Sequence, residues 1–489
     1  MRSQVPALVA WIFCSAIGAA SADEPLRLAD CRLESTVAGG SVAARCGHYR
    51  VRENRDDPHD NVGKELQLHV AIIPALRLKP AADPLFILSG GPGQAASDFY
   101  LSVAPAFSRI RRDRDLVLID QRGTGRSNAL QCTMPDDTGA FDPQKVQAAV
   151  RECLASLPGD PRYYTTSIAV RDLDDVRAAL GYRKVNLYGI SYGTRVAQHY
   201  MRRYPDHVRS VVLDGAVPAE VALGPDAAIE AQRAIDSALQ RCARDEACAR
   251  EFPDIPAQFR ALRERLRKEP VKVSIAHPLT GSLTETTLDE ARFGAAVRLL
   301  SYSDETVSML PLLIHEGQSL HNLQSLAAQY LRVQSAIEEQ IAEGMNYAVI
   351  CSEDAPRWAQ QDVSEEQLAN TYLGTAFMRG MRAVCQEWPR GPVDPDFGEP
   401  LQSSIPTLIL SGANDPVTPD RYAVEIMKGL RNAKHLVAAG QGHGQLATGC
   451  IPRLTAEFVA VGSTASLDDA CVRNIRPAPF LLSRTAPAP

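Results

Sequence analysis

Lys184-Val-Asn-Leu-Tyr-Gly-Ile-Ser-Tyr-Gly-Thr194 is the stretch on which the reading of this chain turns. Val185 to Tyr188 reads as the end of a buried strand. Gly189-Ile190-Ser191-Tyr192-Gly193 fits G-x-S-x-G, the sharp strand-to-helix turn that lifts a serine hydroxyl above a sheet edge. Thr194 to Arg203 reads as a helix, with Val196, Tyr200 and Met201 at helical spacing. The flanking glycines fit a turn in which a side chain two residues either side of the serine would strike neighbouring backbone. The helix N-terminus behind the turn favours developing negative charge. The five-residue pattern alone is common, and its bland reading is a tight turn with a solvated serine. Its place between a strand and a helix makes Ser191 the candidate nucleophile.

Working outward, strands and helices alternate. Pro84-Leu-Phe-Ile-Leu88, Asp115-Leu-Val-Leu-Ile119 and Val208-Arg-Ser-Val-Val-Leu213 read as buried strands, and Val170 to Leu180 reads as a helix. This alternation predicts an α/β fold with a largely parallel sheet. Cys46 to Ala75 alternates in places and reads as antiparallel strands opening that sheet, with the charged Glu53 to Asp60 segment as their turn. From about Pro218 to Ser404 strand signals thin out and helical periodicity takes over. Ile235, Leu239 and Cys242 share one face, as do Phe259, Leu262 and Leu266. This segment reads as an inserted, mainly helical cap over 218–404, between core parts at 23–217 and 405–475. The sheet resumes at Ile405 to Leu410 and Lys434 to Ala438, with Tyr422 to Leu430 as a helix between them. The proline- and alanine-rich tail over 476–489 reads as loosely ordered.

The 489 residues suffice for a large core domain with an insertion, and 45% hydrophobic with 22% charged residues is ordinary for a globular chain. A net charge of -6 and the lack of a basic stripe argue against a nucleic-acid partner. Met1 to Ala22 reads as a cleaved export signal: Arg2 supplies the positive end, an apolar run follows, and Ala20-Ser21-Ala22 fits the cleavage pattern. The expected mature protein is exported, periplasmic or secreted, without a membrane partner after cleavage. Removing Cys14 with that segment leaves ten of the 11 cysteines. They fall into neighbouring couples: Cys31 and Cys46, Cys132 and Cys153, Cys242 and Cys248, Cys351 and Cys385, Cys450 and Cys471. Local disulfides are the simplest reading in an exported chain, although sequence does not fix connectivity. No Cys/His cluster has zinc spacing, so neither metal nor cofactor is expected.

A serine hydroxyl needs a base beside it, and the base needs a carboxylate to hold its tautomer. His443 lies between glycines in the loop after the last strand, whereas His207 and His435 lie beside strand starts and His315 and His321 lie in the cap. Asp415 follows the strand Ile405 to Leu410. Asp214 also ends a strand, but it precedes the cap insertion and reads as a turn residue. Ser191, Asp415 and His443 therefore form the candidate triad. The glycine cluster Ser89-Gly-Gly-Pro-Gly-Gln94 directly after a strand suits an oxyanion hole, with a second backbone N–H from Tyr192. Asp120 and Arg122, in Asp120-Gln-Arg-Gly-Thr-Gly-Arg-Ser127, read as structural partners fixing their loop.

The combination of Ser89 to Gly93, Asp120 to Ser127, the Ser191 turn, Asp415 and Gly442-His443 resembles the prolyl aminopeptidase and tripeptidyl aminopeptidase family of α/β-hydrolases, its exported tripeptidyl aminopeptidase branch most. The resemblance runs from about Cys46 to the C-terminal cysteines. It implies an α/β-hydrolase fold, Ser191, Asp415 and His443 as the catalytic residues, and Gly91 and Tyr192 as oxyanion donors. It also implies peptide substrates with a free N-terminus, and a C-terminal segment of the tripeptidyl type from about Glu387. Ser89 departs from the family, which usually has histidine there. Recognition of a substrate ammonium calls for a carboxylate on the cap side of the cleft, and Glu353 and Asp354 are the candidates, with Cys351 clamping their turn. A solvated acidic turn is the competing reading of that pair. A carboxylesterase is the alternative function, because the same triad serves both. A binding protein without activity is disfavoured because nucleophile and base are both in place.

Overall fold

A computed structural model describes residues 26–35, 40–56, 64–132 and 142–485. The proposed signal, Met1 to Ala22, and part of the Glu53 to Asp60 turn lie outside the described residues. The central sheet has nine strands in the order β1-β2-β3-β5-β4-β6-β7-β10-β11. The first three are β1 (Ala29–Ser35), β2 (Gly40–Arg52) and β3 (Glu65–Ile73), paired antiparallel, with β3 antiparallel to β5 (Leu116–Ile119). Pairing is parallel from β5 through β4 (Leu85–Leu88), β6 (Val185–Ile190), β7 (Val208–Asp214) and β10 (Thr407–Gly412) to β11 (Ala433–Ala438). The central parallel strands are almost continuously buried because both faces are covered. Phe86, Val117, Leu187 and Val211 pack on one side, and Leu85, Leu118, Tyr188 and Val212 on the other.

The expected helices form, slightly extended: Thr166–Ala179 and Tyr192–Arg203. Between β7 and β10 lie further helices with a core of their own. The stripes Ile235, Leu239, Cys242 and Phe259, Leu262, Leu266 are buried there against Phe293 and Leu313. This region also holds an antiparallel hairpin, β8 (Val271–Ala276) and β9 (Leu283–Leu288). The alternation in Val271-Lys-Val-Ser-Ile275 was its signal, with Val273 and Ile275 buried.

The reading of the tail needs correction here, whereas Asp120 and Arg122 do fix their loop. The tail is not loose as far as it is described, to residue 485. Phe480 is buried in the cap core with the Arg241 guanidinium 3.9 Å from its ring centroid, and Arg484 makes a bidentate pair with Glu316. Proline and alanine content hid these anchors. Asp120 and Arg122 do not bond one another. Arg122 is buried and forks onto Asp172 while donating to Glu53 O and Tyr163 O, whereas Asp120 accepts from Ser97 and from the backbone of Arg126. Each fixes the loop through a different neighbour.

All five expected disulfides are present: Cys31–Cys46, Cys132–Cys153, Cys242–Cys248, Cys351–Cys385 and Cys450–Cys471. Among the described residues no helix is long and apolar enough to cross a membrane.

Candidate active site

Ser191 stands between β6 and its helix at φ 54° and ψ −124°, a conformation rare outside glycine. The turn is tight enough to explain its glycines. A Cβ on Gly189 would lie 2.3 Å from Gly193 O, and one on Gly193 would lie 2.2 Å from Leu88 O. The turn is thus wedged between its own helix and the end of β4. From β4 the chain enters the glycine loop, where a Cβ on Gly90 would lie 3.1 Å from Ser191 Cβ. Gly91 adopts φ +103° beside it. Tyr192 opens the following helix, so its N–H has no partner inside that helix. Ser89 keeps the loop folded by donating to Gln94 O at 2.5 Å.

Asp415 and His443 come together across the ends of β10 and β11. His443 Nδ1 faces Asp415 Oδ2 at 2.8 Å, with the carboxylate fully buried and the imidazole side chain 9% exposed. An Nδ1–H tautomer donates to Asp415 and leaves Nε2 as the base. Burial pulls the imidazole pKa down, but the charge and hydrogen bond of Asp415, with Asp214 adding, lift it above its ordinary value. Asp415 is held by the backbone N–H groups of Val417 and Thr418 and by the Thr418 hydroxyl at 2.7 Å. Thr418 Oγ1 also lies 3.2 Å from His443 Nδ1. Ser191 Oγ makes no hydrogen bond to another described residue; the turn that carries it is joined to the end of β7 through Ser191 N and Asp214 O, and Gly215, next in the chain, lies against His443.

Asp214 is more than a turn residue. It ends β7 fully buried, and its carboxylate accepts from Tyr188 Oη and from the backbone N–H groups of Gln445 and Leu446, just past His443. Its own carbonyl accepts from Ser191 N at 2.9 Å. One residue therefore ties the serine turn to the histidine loop. Burial raises its carboxyl pKa to about 6, against the opposing pull of those donors. Asp214 was legible as a strand end only; its partners lie 231 and 232 residues away in the chain.

The cap completes the surroundings. Tyr302 stacks edge-on against His443 with ring centroids 5.5 Å apart, and its carbonyl accepts from His443 N at 2.7 Å. Asn346 donates to Pro92 O, and Ala342 N to Gly93 O, so cap backbone also braces the glycine loop. Nothing in the sequence around Tyr302 or Asn346 marks them; tertiary packing alone brings them here.

Glu353 and Asp354 lie in a π-helical turn, Ile350–Asp354, and both are buried. Glu353 accepts from Thr166 N at 2.6 Å and from Thr166 Oγ1 at 3.0 Å. Thr166 Oγ1 lies 2.6 Å from Tyr192 Oη, which also accepts from Gln121 Nε2. Asp354 accepts from Arg195 Nη1 at 2.8 Å and from Leu223 N. Burial raises the Glu353 pKa to about 7, with Arg195 opposing and Asp354 adding to the rise. The pair is not a solvated turn: both carboxylate oxygens of Glu353 and Oδ1 of Asp354 already face protein donors, while Asp354 Oδ2 is buried with no hydrogen-bond partner among the described residues.

A serine on a strained strand-to-helix turn, followed in chain order by a carboxylate and a histidine on later strand ends, now has its geometric frame. The family model for the alpha/beta hydrolase fold matches residues 83–449. The chain belongs to that family. Within it, the chain is 24% identical over 496 residues to serine protease Hip1 of Mycobacterium tuberculosis, covering 90% of each protein. It is 23% identical to the tripeptidyl aminopeptidase of Streptomyces coelicolor, covering 89% of this chain and 84% of the relative. Carboxylesterase B of Mycobacterium tuberculosis is 27% identical over 79% of this chain and 78% of its own length. The matched range of the family model takes in the serine turn, the cap and the histidine loop.

Proposed function

We propose that the protein is an exported serine exopeptidase that hydrolyses peptide bonds near a free N-terminus, of the proline iminopeptidase or tripeptidyl aminopeptidase type. The reading is carried by the buried Asp415–His443 pair, together with Ser191 on its turn against Gly90, in a chain related to a tripeptidyl aminopeptidase. In the proposed reaction Ser191 Oγ attacks the peptide carbonyl while its proton passes to His443 Nε2. Asp415 stabilises the resulting imidazolium, and the N–H groups of Gly91 and Tyr192 receive the oxyanion. His443 returns the proton to the departing amine, leaving an acyl ester on Ser191. Water, deprotonated by His443, cleaves that ester and restores the serine.

Export is supported by the leader-like Met1 to Ala22 and by five disulfides, which persist in oxidising compartments. Of the acidic pair, Glu353 would have to yield its bonds to Thr166 to meet an ammonium, whereas Asp354 keeps Oδ2 without a partner among the described residues while Arg195 holds Oδ1. A carboxylesterase is the second reading, favoured by the likeness to carboxylesterase B and by the commitment of Glu353 to Thr166.

Incubating the protein with a peptide library and sequencing the released N-terminal fragments by mass spectrometry separates the two. Release of short fragments of one length from free N-termini, with N-acetylated peptides refractory, is the expected result. Ester turnover without amide turnover establishes the esterase. Equal cleavage of acetylated and free peptides removes the exopeptidase.

A further inference from the structure

We infer that the cap carries a carboxylate-binding subsite on the His443 side of the cleft, formed by Arg298 and Tyr372. This inference rests on the peptidase reading above and adds to it what the departing fragment must carry. Arg298, half-buried near the end of the Glu290–Leu300 helix, meets no carboxylate. Its one hydrogen bond among the described residues is a long one, 3.3 Å to Ala227 O, and its guanidinium lies 5.9 Å from the centroid of the Tyr302 ring. Tyr302 is the residue that stacks on His443. Several buried arginines elsewhere in this molecule are matched to acids, as Arg122 is to Asp172 and Arg195 to Asp354. Arg298 is not so matched among the described residues, and it is the guanidinium that lies beside Tyr302.

Tyr372 supplies the second observation. It is 1% exposed, yet its hydroxyl has no hydrogen-bond partner among the described residues. A buried unmatched hydroxyl is costly unless something outside the protein completes it. Tyr372 and Arg298 line one cleft of about 500 Å³, whose lining also includes Arg263, Arg267 and Arg379 with Glu290 as its one acid. Arg263 is neutralised by Glu290 and Arg267 by Glu264. Phe377, 45% exposed, gives the cleft an apolar flank. A guanidinium and a phenolic hydroxyl can both donate to a carboxylate, and the guanidinium's charge repels an ammonium.

The side of the cleft decides which part of a substrate this is. His443 hands its proton to the departing amine, so the departing fragment lies against His443 and the cap residues that cover it. The contacts at 5.9 and 5.5 Å through Tyr302 set an upper limit on the distance from Arg298 to His443 that a few residues of extended chain, at roughly 3.4 Å each, can span. A short departing fragment would place its C-terminal carboxylate at Arg298. An acidic side chain in a longer fragment presents the same chemistry.

The test uses pairs of peptides with free N-termini, identical except for a C-terminal carboxylate or amide, together with C-terminal amides carrying Glu or Gln within three residues after the cut. The readout is the ratio of kcat/KM within each pair, which cancels general damage to the enzyme. The wild-type protein is expected to prefer the carboxylate member about 10- to 100-fold, as befits a hydrogen bond to a charged group. Arg298→Gln should bring the ratio near one, and Tyr372→Phe, which keeps the ring packing, should lower it several-fold. A preference confined to the C-terminal pairs identifies a short peptide as the ligand; one confined to the Glu/Gln pairs identifies an acidic side chain. A wild-type ratio near one in both sets, or a preference unchanged in both variants, overturns the subsite. If no peptide is cleaved, the peptidase reading fails separately. Calorimetry of the same pairs on Ser191→Ala protein then still decides the subsite: equal affinity for both members overturns it.

Discussion

Ser191 holds a backbone conformation that nothing but its wedged turn maintains, and such strain is most often kept where a side chain must be aimed. Ser191→Ala is expected to abolish turnover, by up to about a millionfold, with circular dichroism unchanged. His443→Ala should match that loss, and the double variant should be little worse than either, because the residues act on one step. Additive losses would place His443 in some other role. The pH profile follows from the same residues. The base must be neutral, and its pKa stands above the ordinary 6.5 because Asp415 and Asp214 outweigh burial. So kcat/KM should fall as pH drops through a value above 6.5, and Asp214→Asn, which removes one of the two supporting charges, should move that limb to lower pH. The same variant should lower kcat, because an amide N–H would face the backbone N–H of Gln445 or Leu446. An acid limb left in place would show that Asp214 acts on the histidine loop by shape alone.

At the scale of elements, the parts legible in the sequence are those whose signal is local. Ser191, Asp415 and His443 each follow a strand and sit among turn residues, so strand periodicity and chain order placed each of them at a strand end. The Asp415 loop even carries its support within three residues, through Thr418. Asp214, Thr166, Tyr302 and Arg298 act across the fold, and their neighbours in sequence say nothing about it. The acidic turn shows the same limit. Its charge was visible, but its insertion beneath the first turn of the Thr166–Ala179 helix was not. That placement changes the expectation for Glu353→Gln. An amide in place of the carboxylate would weaken the bonds to Thr166 and loosen Tyr192, whose N–H is the proposed oxyanion donor. The loss should therefore fall on kcat, about 10-fold or more, for peptides and small neutral esters alike. A loss seen only with free N-termini would instead restore the direct ammonium contact.

Across the whole molecule, cap and sheet are joined at the site. Cap residues Tyr302, Ala342, Asn346 and Glu353 each bond a loop or helix of the α/β core. The turn that carries Glu353 and Asp354 is fastened by Cys351–Cys385, which closes 34 residues of chain and joins it to the Ala376–Glu387 helix. A crosslink of that span stabilises by about 2–5 kcal/mol, largely by restricting the unfolded chain. Removing it also releases the turn two residues before Glu353, so stability and activity should fall together. In Cys351→Ser/Cys385→Ser protein we expect a lower Tm, and at temperatures well below it a reduced kcat that resembles the Glu353→Gln defect. Removing Cys31–Cys46 is the control. It joins β1 to β2 at the far edge of the sheet and should lower Tm without changing kcat in the protein that remains folded. Thermal scans and turnover measured on the same samples decide between the two effects. Full kcat in the folded Cys351→Ser/Cys385→Ser variant would show that the buried contacts of Glu353 and Asp354 hold the turn without the crosslink.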